Sequence, residues 1–158
     1  MKNIFKPLIL FLSLIFLIEG CSRTQEAFLS IQICLIDQQG VVKFLDIMQE
    51  VAKAENLTFI DSSAKTAAEL KMIDPNKDAK RDLFRIIHVG IEGSGGMGVT
   101  AGNLGLPAYQ IALGFTEGDD AVKAHQLSKR LVATLSQYWL IETVPAGQGA
   151  LPLKACGG

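Results

Sequence analysis

The stretch "AFLSIQICLID", Ala27–Asp37, decides the fold of this chain of 158 residues. Apolar side chains alternate along it with small or polar ones, which is the period of a strand with one buried face. The apolar positions are Leu29, Ile31, Ile33 and Leu35. The intervening positions are Ser30, Gln32 and Cys34. Such a strand needs a second layer on its apolar side, so the sequence predicts helices packed on one face of a sheet.

The rest of the chain supplies strands and helices that fit this layer. Runs with a period of two indicate strands, and apolar residues three and four apart indicate helices. The predicted helices cover Val41–Asn56, Ser62–Ile73 and Asp119 or Asp120 to Tyr138. The predicted strands that follow the first are Leu57–Asp61, Leu83–Glu92, Ala108–Thr116 and Trp139–Val144. The order is therefore β-α-β-α-β-β-α-β.

This order resembles the ferredoxin-like split βαβ plan, an α+β two-layer sandwich, with an inserted helix and a C-terminal tail. The predicted domain covers residues 27–144 and the tail covers residues 145–158. In this plan the helices cover one sheet face only. The other face is predicted to carry Ser30, Gln32, Cys34, His88, Gln110, Ala112 and Gly114. These small or polar residues can face water, a covering tail or a partner.

The N-terminus has the pattern of an export signal. Lys2 and Lys6 precede an apolar run, Pro7–Ile18, that is shorter than a normal membrane span. Leu17, Ile18 and Gly20 before Cys21 resemble the lipobox of bacterial lipoproteins. The resemblance implies a signal peptide over residues 1–20, a lipid (palmitate) on Cys21 and a tether over residues 21–26. Ser22 after the cysteine is similar to the signal for the periplasmic face of the outer membrane. The alternative is an uncleaved membrane anchor.

The composition indicates one globular domain without a nucleic-acid partner. The net charge is −1 at pH 7, and no basic cluster follows the N-terminal segment. Nucleic-acid binding normally requires a concentrated positive charge. A charged fraction of 20% and a hydrophobic fraction of 49% are ordinary for a folded domain with a real core.

Two cysteines remain beside Cys21. In an oxidising periplasm Cys34 and Cys156 are expected to form a disulfide. This bond would hold the tail across the helix-free face and cover part of it with Leu151 and Leu153. The alternative is a pair of free thiols, with Cys34 as a small core residue.

A glycine-rich segment follows the strand that ends at Glu92. Gly93, Gly95 and Gly98 spell the G-x-G-x-x-G pattern of a dinucleotide site. Such a site needs a helix that begins inside the pattern, and the glycines and Pro107 downstream disfavour one. We therefore predict no NAD or other nucleotide, but a long hairpin loop. Loops of this length often carry function, so Met97 and Val99, with Gln110, are the candidate partner-binding residues.

Metal sites are not predicted. Asp74, Asn76 and Asp78 match the first ligands of an EF-hand loop, but Ala79 and Arg85 stand where a glycine and a glutamate are required. His88 and His125 have no acidic residue or cysteine at ligand spacing and are interpreted as a sheet residue and a surface residue. The "EGDD" run, residues 117–120, is interpreted as a turn and a helix cap.

These observations favour a non-enzymatic envelope lipoprotein that acts as a protein-binding module without a cofactor. An immunity-type inhibitor of a periplasmic effector is one form of such a module. The alternative is a small periplasmic hydrolase-like enzyme in which the Gly93–Gly105 loop is a substrate lid.

Overall fold

The computed structural model describes residues 26–73 and 86–157. The predicted signal peptide, Cys21 and the EF-hand-like segment from Asp74 to Arg85 lie outside the described residues. The strands are β1 (Leu29–Cys34), β2 (Thr58–Asp61), β3 (His88–Glu92), β4 (Gly98–Gly102), β5 (Gln110–Thr116) and β6 (Glu142–Thr143). The helices are α1 (Gln38–Ala54), α2 (Ser63–Ile73) and α3 (Ala121–Leu135).

The six strands form one antiparallel sheet in the order β2-β3-β4-β5-β1-β6. Helices α1 and α3 pack on one face of this sheet and close a single hydrophobic core. The predicted α+β two-layer sandwich is confirmed. Within the described ranges, no helix is both long enough and apolar enough to cross a membrane.

Strand β1 lies inside the sheet and behaves as its alternation predicts. Ile31 and Ile33 are buried against the helices and pair with Leu113 and Ile111 of β5. The apolar positions of both strands therefore share one face, because directly paired residues in an antiparallel ladder point to the same side. Burial of each large aliphatic side chain contributes about 1.5–3 kcal/mol.

Helix α1 begins earlier than predicted. The predicted start at Val41 treats residues 37–40 as a turn, but Asp37 caps the helix. Its Oδ1 accepts a hydrogen bond of 2.8 Å from the Gly40 backbone N–H, which satisfies one of the free donors of the first turn. Helix α3 is capped in the same way by Asp120, whose Oδ1 accepts from the Lys123 N–H at 2.9 Å. The second cap agrees with one of the two predicted alternatives.

The glycine-rich segment is the main difference from the predicted elements. Residues 98–102 are not a loop but strand β4, paired on one side with β3 and on the other with β5. Val99 and Ala101 point to the helices and are buried. The hydrogen bonds on both sides and these two side chains outweigh the weak strand preference of glycine, because pairing and packing matter more in a sheet than intrinsic propensity.

The tail after β6 returns over the helix-free face. Cys34 of β1 and Cys156 are joined at disulfide distance, as predicted, with their α-carbons 5.6 Å apart. The bond links positions 122 residues apart, so in the chain-entropy account it stabilises the fold by about 2–5 kcal/mol. Within the tail, the Leu153 side chain is buried, whereas the Leu151 side chain is 66% exposed. Only one of the two leucines expected to cover the face therefore does so.

Candidate functional site

The helix-free sheet face has a floor of very small side chains. Across the sheet, Gly90, Thr100 and Gly114 are register partners on strands β3, β4 and β5. One row further along, Gly102 and Ala112 stand opposite each other. Because little projects from these positions, an approaching molecule can reach the sheet backbone closely.

This floor is the base of a groove of about 550 Å³, which we call the open-face groove. His88 closes one side of it, and the turn Leu104–Leu106 borders it. Gly149 and Ala150 of the C-terminal tail form part of another wall. One wall of the groove thus belongs to a segment that the Cys34–Cys156 bond attaches to the sheet.

His88 is held firmly at the first position of β3. Its Nδ1 lies 2.8 Å from the hydroxyl of Thr66, which is the buried residue of α2. Its backbone N–H donates to the Ser63 hydroxyl at 3.0 Å, and its carbonyl accepts from the Ser62 N–H at 2.8 Å. Helix α2 therefore fixes the histidine through both its ring and its backbone, and it touches the β3 end of the face that α1 and α3 leave free. The residue contributes a shaped wall to the groove.

The turn before β4 is locked to the neighbouring loop. The Gly93 N–H donates to the Met97 carbonyl at 2.8 Å, and the Asp119 N–H donates to the Gly95 carbonyl at 3.1 Å. Gly118 in the facing loop has φ +55°, and a Cβ there would lie 2.2 Å from the Met97 nitrogen. These contacts hold the two loops against each other. Over residues 98–102, the segment that the lid hypothesis treated as a loop is the paired strand β4.

The three candidate partner-binding residues are inside the protein. Met97 and Val99 are 1% and 3% exposed in the core between the sheet and the helices. Gln110 is 0% exposed and is covered by the tail. None of the three side chains is available to a partner in this structure. Met97 and Val99 point inward because of the alternation of Met97, Val99 and Ala101 into β4, which the loop interpretation overlooked, whereas Gln110 is buried on the other face under the tail.

The residues that do line the groove were only partly predicted. His88, Ala112 and Gly114 were placed on this face from the sequence, and the structure puts them in the groove. Thr100 and Gly102 were missed, since β4 was interpreted as a loop. The period of two from Met97 to Ala101 is the signal that could have placed them on the opposite face.

The second histidine, His125, lies away from the groove and is paired locally with Glu117. His125 is exposed on α3, as predicted, with its Nε2 2.9 Å from Glu117 Oε1 and its ring 4.3 Å from the Phe28 ring. Among the residues of the two described ranges, no three or more His, Cys, Asp or Glu side chains come together as a metal site. The G-x-G-x-x-G pattern leads into strand β4 and not into a helix.

Comparison with protein-family models, with curated proteins and with solved structures gives no match. The function therefore has to be inferred from the groove and its surroundings.

Proposed function

We propose that this protein is a non-enzymatic lipoprotein of the bacterial envelope that binds a protein partner through the open-face groove. The observation that carries the proposal is the floor of Thr100, Gly102, Ala112 and Gly114 on a fixed sheet, bordered by His88 and the tail. An immunity-type inhibitor of a periplasmic effector is one form that such a module takes.

The floor suits a protein partner because its side chains are small and the core behind it holds it in place. Val99 and Ala101 are buried in the core on the opposite side of β4, and this packing keeps the strand in position when a ligand binds to the floor. A preorganised surface loses little conformational entropy on binding, which favours affinity. Small side chains on the floor also leave space for larger side chains of the partner, which would fill the groove as anchors.

The sequence supports a position close to a membrane. Cys21 follows a basic and apolar leader, and only Ser22 to Glu26 separate it from the described domain. Five extended residues span about 17 Å, so a lipid on Cys21 would hold the domain near the bilayer surface. A binding module in this position would meet partners that reach the membrane face of the envelope.

The described residues support the hydrolase-like alternative less well than the binding module. Its lid was the Gly93–Gly105 segment, and that segment contains β4 and a turn locked against Gly118. The histidine nearest to the groove, His88, is bonded to Thr66.

Site-specific photo-crosslinking in the envelope tests the proposal. A photo-reactive amino acid at Thr100, an exposed position of the groove floor, is expected to give one discrete adduct with a protein. The same amino acid at Ala133, an exposed position of α3, is the matched control and is expected to give none. Ala112→Arg should abolish the adduct by filling the groove, whereas Ala133→Arg should leave it unchanged. Identical adducts from both positions, or none from Thr100, would refute the groove as the binding site.

A further inference from the structure

The C-terminal tail is bound to the sheet by the side chain of one buried residue. The Gln110 Oε1 accepts a hydrogen bond of 2.7 Å from the Leu153 N–H. The Gln110 Nε2 donates to the Leu151 carbonyl at 2.6 Å and to the Gln32 Oε1 at 3.1 Å. Both the nitrogen and the oxygen of the Gln110 amide are thus hydrogen-bonded, and the bond to Gln32 fixes the orientation of the amide.

These hydrogen bonds recognise the main chain of the tail, which is extended at this point. A carbonyl and an N–H two residues apart are the groups that one strand presents to a neighbouring strand. Gln110 bonds to both groups, which lie on either side of Pro152. The Leu153 side chain is 8% exposed and supplies the apolar anchor, whereas the Leu151 side chain points away. The site therefore selects an extended backbone with one apolar side chain, and it does so through a side-chain amide on the sheet face and not through an added strand at a sheet edge.

The tail has few other attachments to the domain. From residue 145 to residue 152 only residue 150 is even partly buried, and Leu153 is followed by a short turn, Lys154–Cys156, in which Cys156 is half-buried. The disulfide to Cys34 is the covalent hold on this segment. Cys156 is more accessible than Cys34, which is 9% exposed. A reductant can therefore approach the bond from the side of the tail.

We propose that Gln110 and Gln32 form a main-chain-binding site whose resident occupant is the protein's own tail, and that the Cys34–Cys156 disulfide is the latch. Reduction of the latch by a dithiol frees the site for an extended peptide that carries an apolar residue at the place of Leu153. Release also removes the wall that Gly149 and Ala150 give to the open-face groove. This site lies beside the groove, and its occupation by a peptide does not depend on the partner proposed above.

The redox step is ordinary thiol–disulfide exchange. One thiolate of the dithiol attacks the accessible Cys156 sulfur, and the Cys34 thiolate leaves and takes up a proton. The second thiol of the reductant then attacks the mixed disulfide and releases Cys156 as a thiol. Two electrons pass from the dithiol, which becomes a disulfide, to the two cysteines, which become thiols.

Covalent capture of a synthetic tail tests the proposal with the full chain. The protein carries Cys21→Ser and Cys156→Ser, so that its tail is unlatched and Cys34 is the one thiol left. The probe is a peptide of residues 148–157, "QGALPLKACG", whose cysteine is activated as a mixed disulfide with thionitrobenzoate. Attack by Cys34 joins the peptide to the protein and releases the coloured thiolate. We expect capture at least tenfold faster than that of a scrambled peptide with the cysteine at the same place.

Two matched changes identify the groups responsible. Gln110→Met, which removes the amide and keeps the length of the side chain, should bring the two peptides to the same rate. N-methylation of the peptide at the Leu153 nitrogen should do the same without any change in the protein. Equal rates for the native and scrambled peptides, or no reaction of either, would overturn the proposal. A tenfold preference that survives both changes would overturn the assignment to Gln110. The groove proposal stands or falls separately, because this experiment uses no partner protein.

Discussion

Two segments of this protein that contain several glycines take up different structures: one contains an interior strand of the sheet and the other is a surface tail. The segment Gly93–Gly105 contains the interior strand β4, and its Met97, Val99 and Ala101 are buried under the helices. The tail, Pro145–Gly157, stays on the surface, where Gln110, one buried leucine and a disulfide hold it. The first segment has six glycines among its 13 residues and the tail has three among 13, and the two also differ in the spacing of their apolar residues.

The difference shows what glycine does and does not determine. Glycine weakens a strand, but apolar residues at every second position, with a paired strand on each side, restore it. The tail has Leu151 and Leu153 only, and Pro152 between them has no N–H for a ladder. The first segment therefore becomes the fixed floor of the open-face groove, and the second becomes an attached wall.

The largest expected effect on stability comes from placing an aspartate at a buried position of the first segment, and the control places it at an exposed position of the tail. Val99→Asp places an unpaired carboxylate in the core, at a cost of about 4–5 kcal/mol or more, which is comparable with the stability of a whole domain. We expect this variant to be unfolded by circular dichroism. The matched variant Leu151→Asp changes an exposed leucine of the tail and should alter the free energy of unfolding by no more than about 0.5 kcal/mol. A folded Val99→Asp protein would contradict the placement of β4.

A second pair compares two glycines with similar backbone conformations. Gly118 has φ +55° and Gly147 has φ +74°, so an alanine at either position is strained by about 1–2 kcal/mol. At Gly118 the added Cβ would also meet the Met97 nitrogen at 2.2 Å, whereas at Gly147 nothing lies within 4 Å. Denaturant unfolding should therefore show a loss of about 2–4 kcal/mol for Gly118→Ala and about 1 kcal/mol or less for Gly147→Ala. Equal losses would show that the turn before β4 and the loop after β5 do not fit together as described.

The sequence was sufficient for the parts of the fold that depend on local pattern. The alternation of Leu29 to Leu35 predicts the buried face of β1. Apolar spacing predicts the core face of α1, with Phe44 and Met48 buried. The Cys34–Cys156 pair was predicted because β1 turns Cys34 toward the helix-free face, where a tail of about ten residues can reach it.

The sequence was insufficient where distant segments determine the outcome. β4 exists because β3 and β5, the strands before and after it in the chain, pair with it on both sides, and its own glycines hide the local alternation. Gln110 was assigned to a partner because it faces the open side of the sheet. The structure instead gives its amide to the tail main chain, since a buried amide needs both its donor and its acceptor satisfied. That pairing depends on where the tail crosses the sheet.

The central claim is that the groove has a fixed floor and a separately held wall. Native-state hydrogen exchange of the oxidised full chain measures this directly, residue by residue. We predict that the slowest backbone amides of β4 exchange only through global unfolding. The Leu153 amide, bonded only to Gln110, should exchange at least tenfold faster through local opening of the tail. Equal exchange rates for β4 and Leu153 would show that tail and floor open as one unit, and would contradict the account.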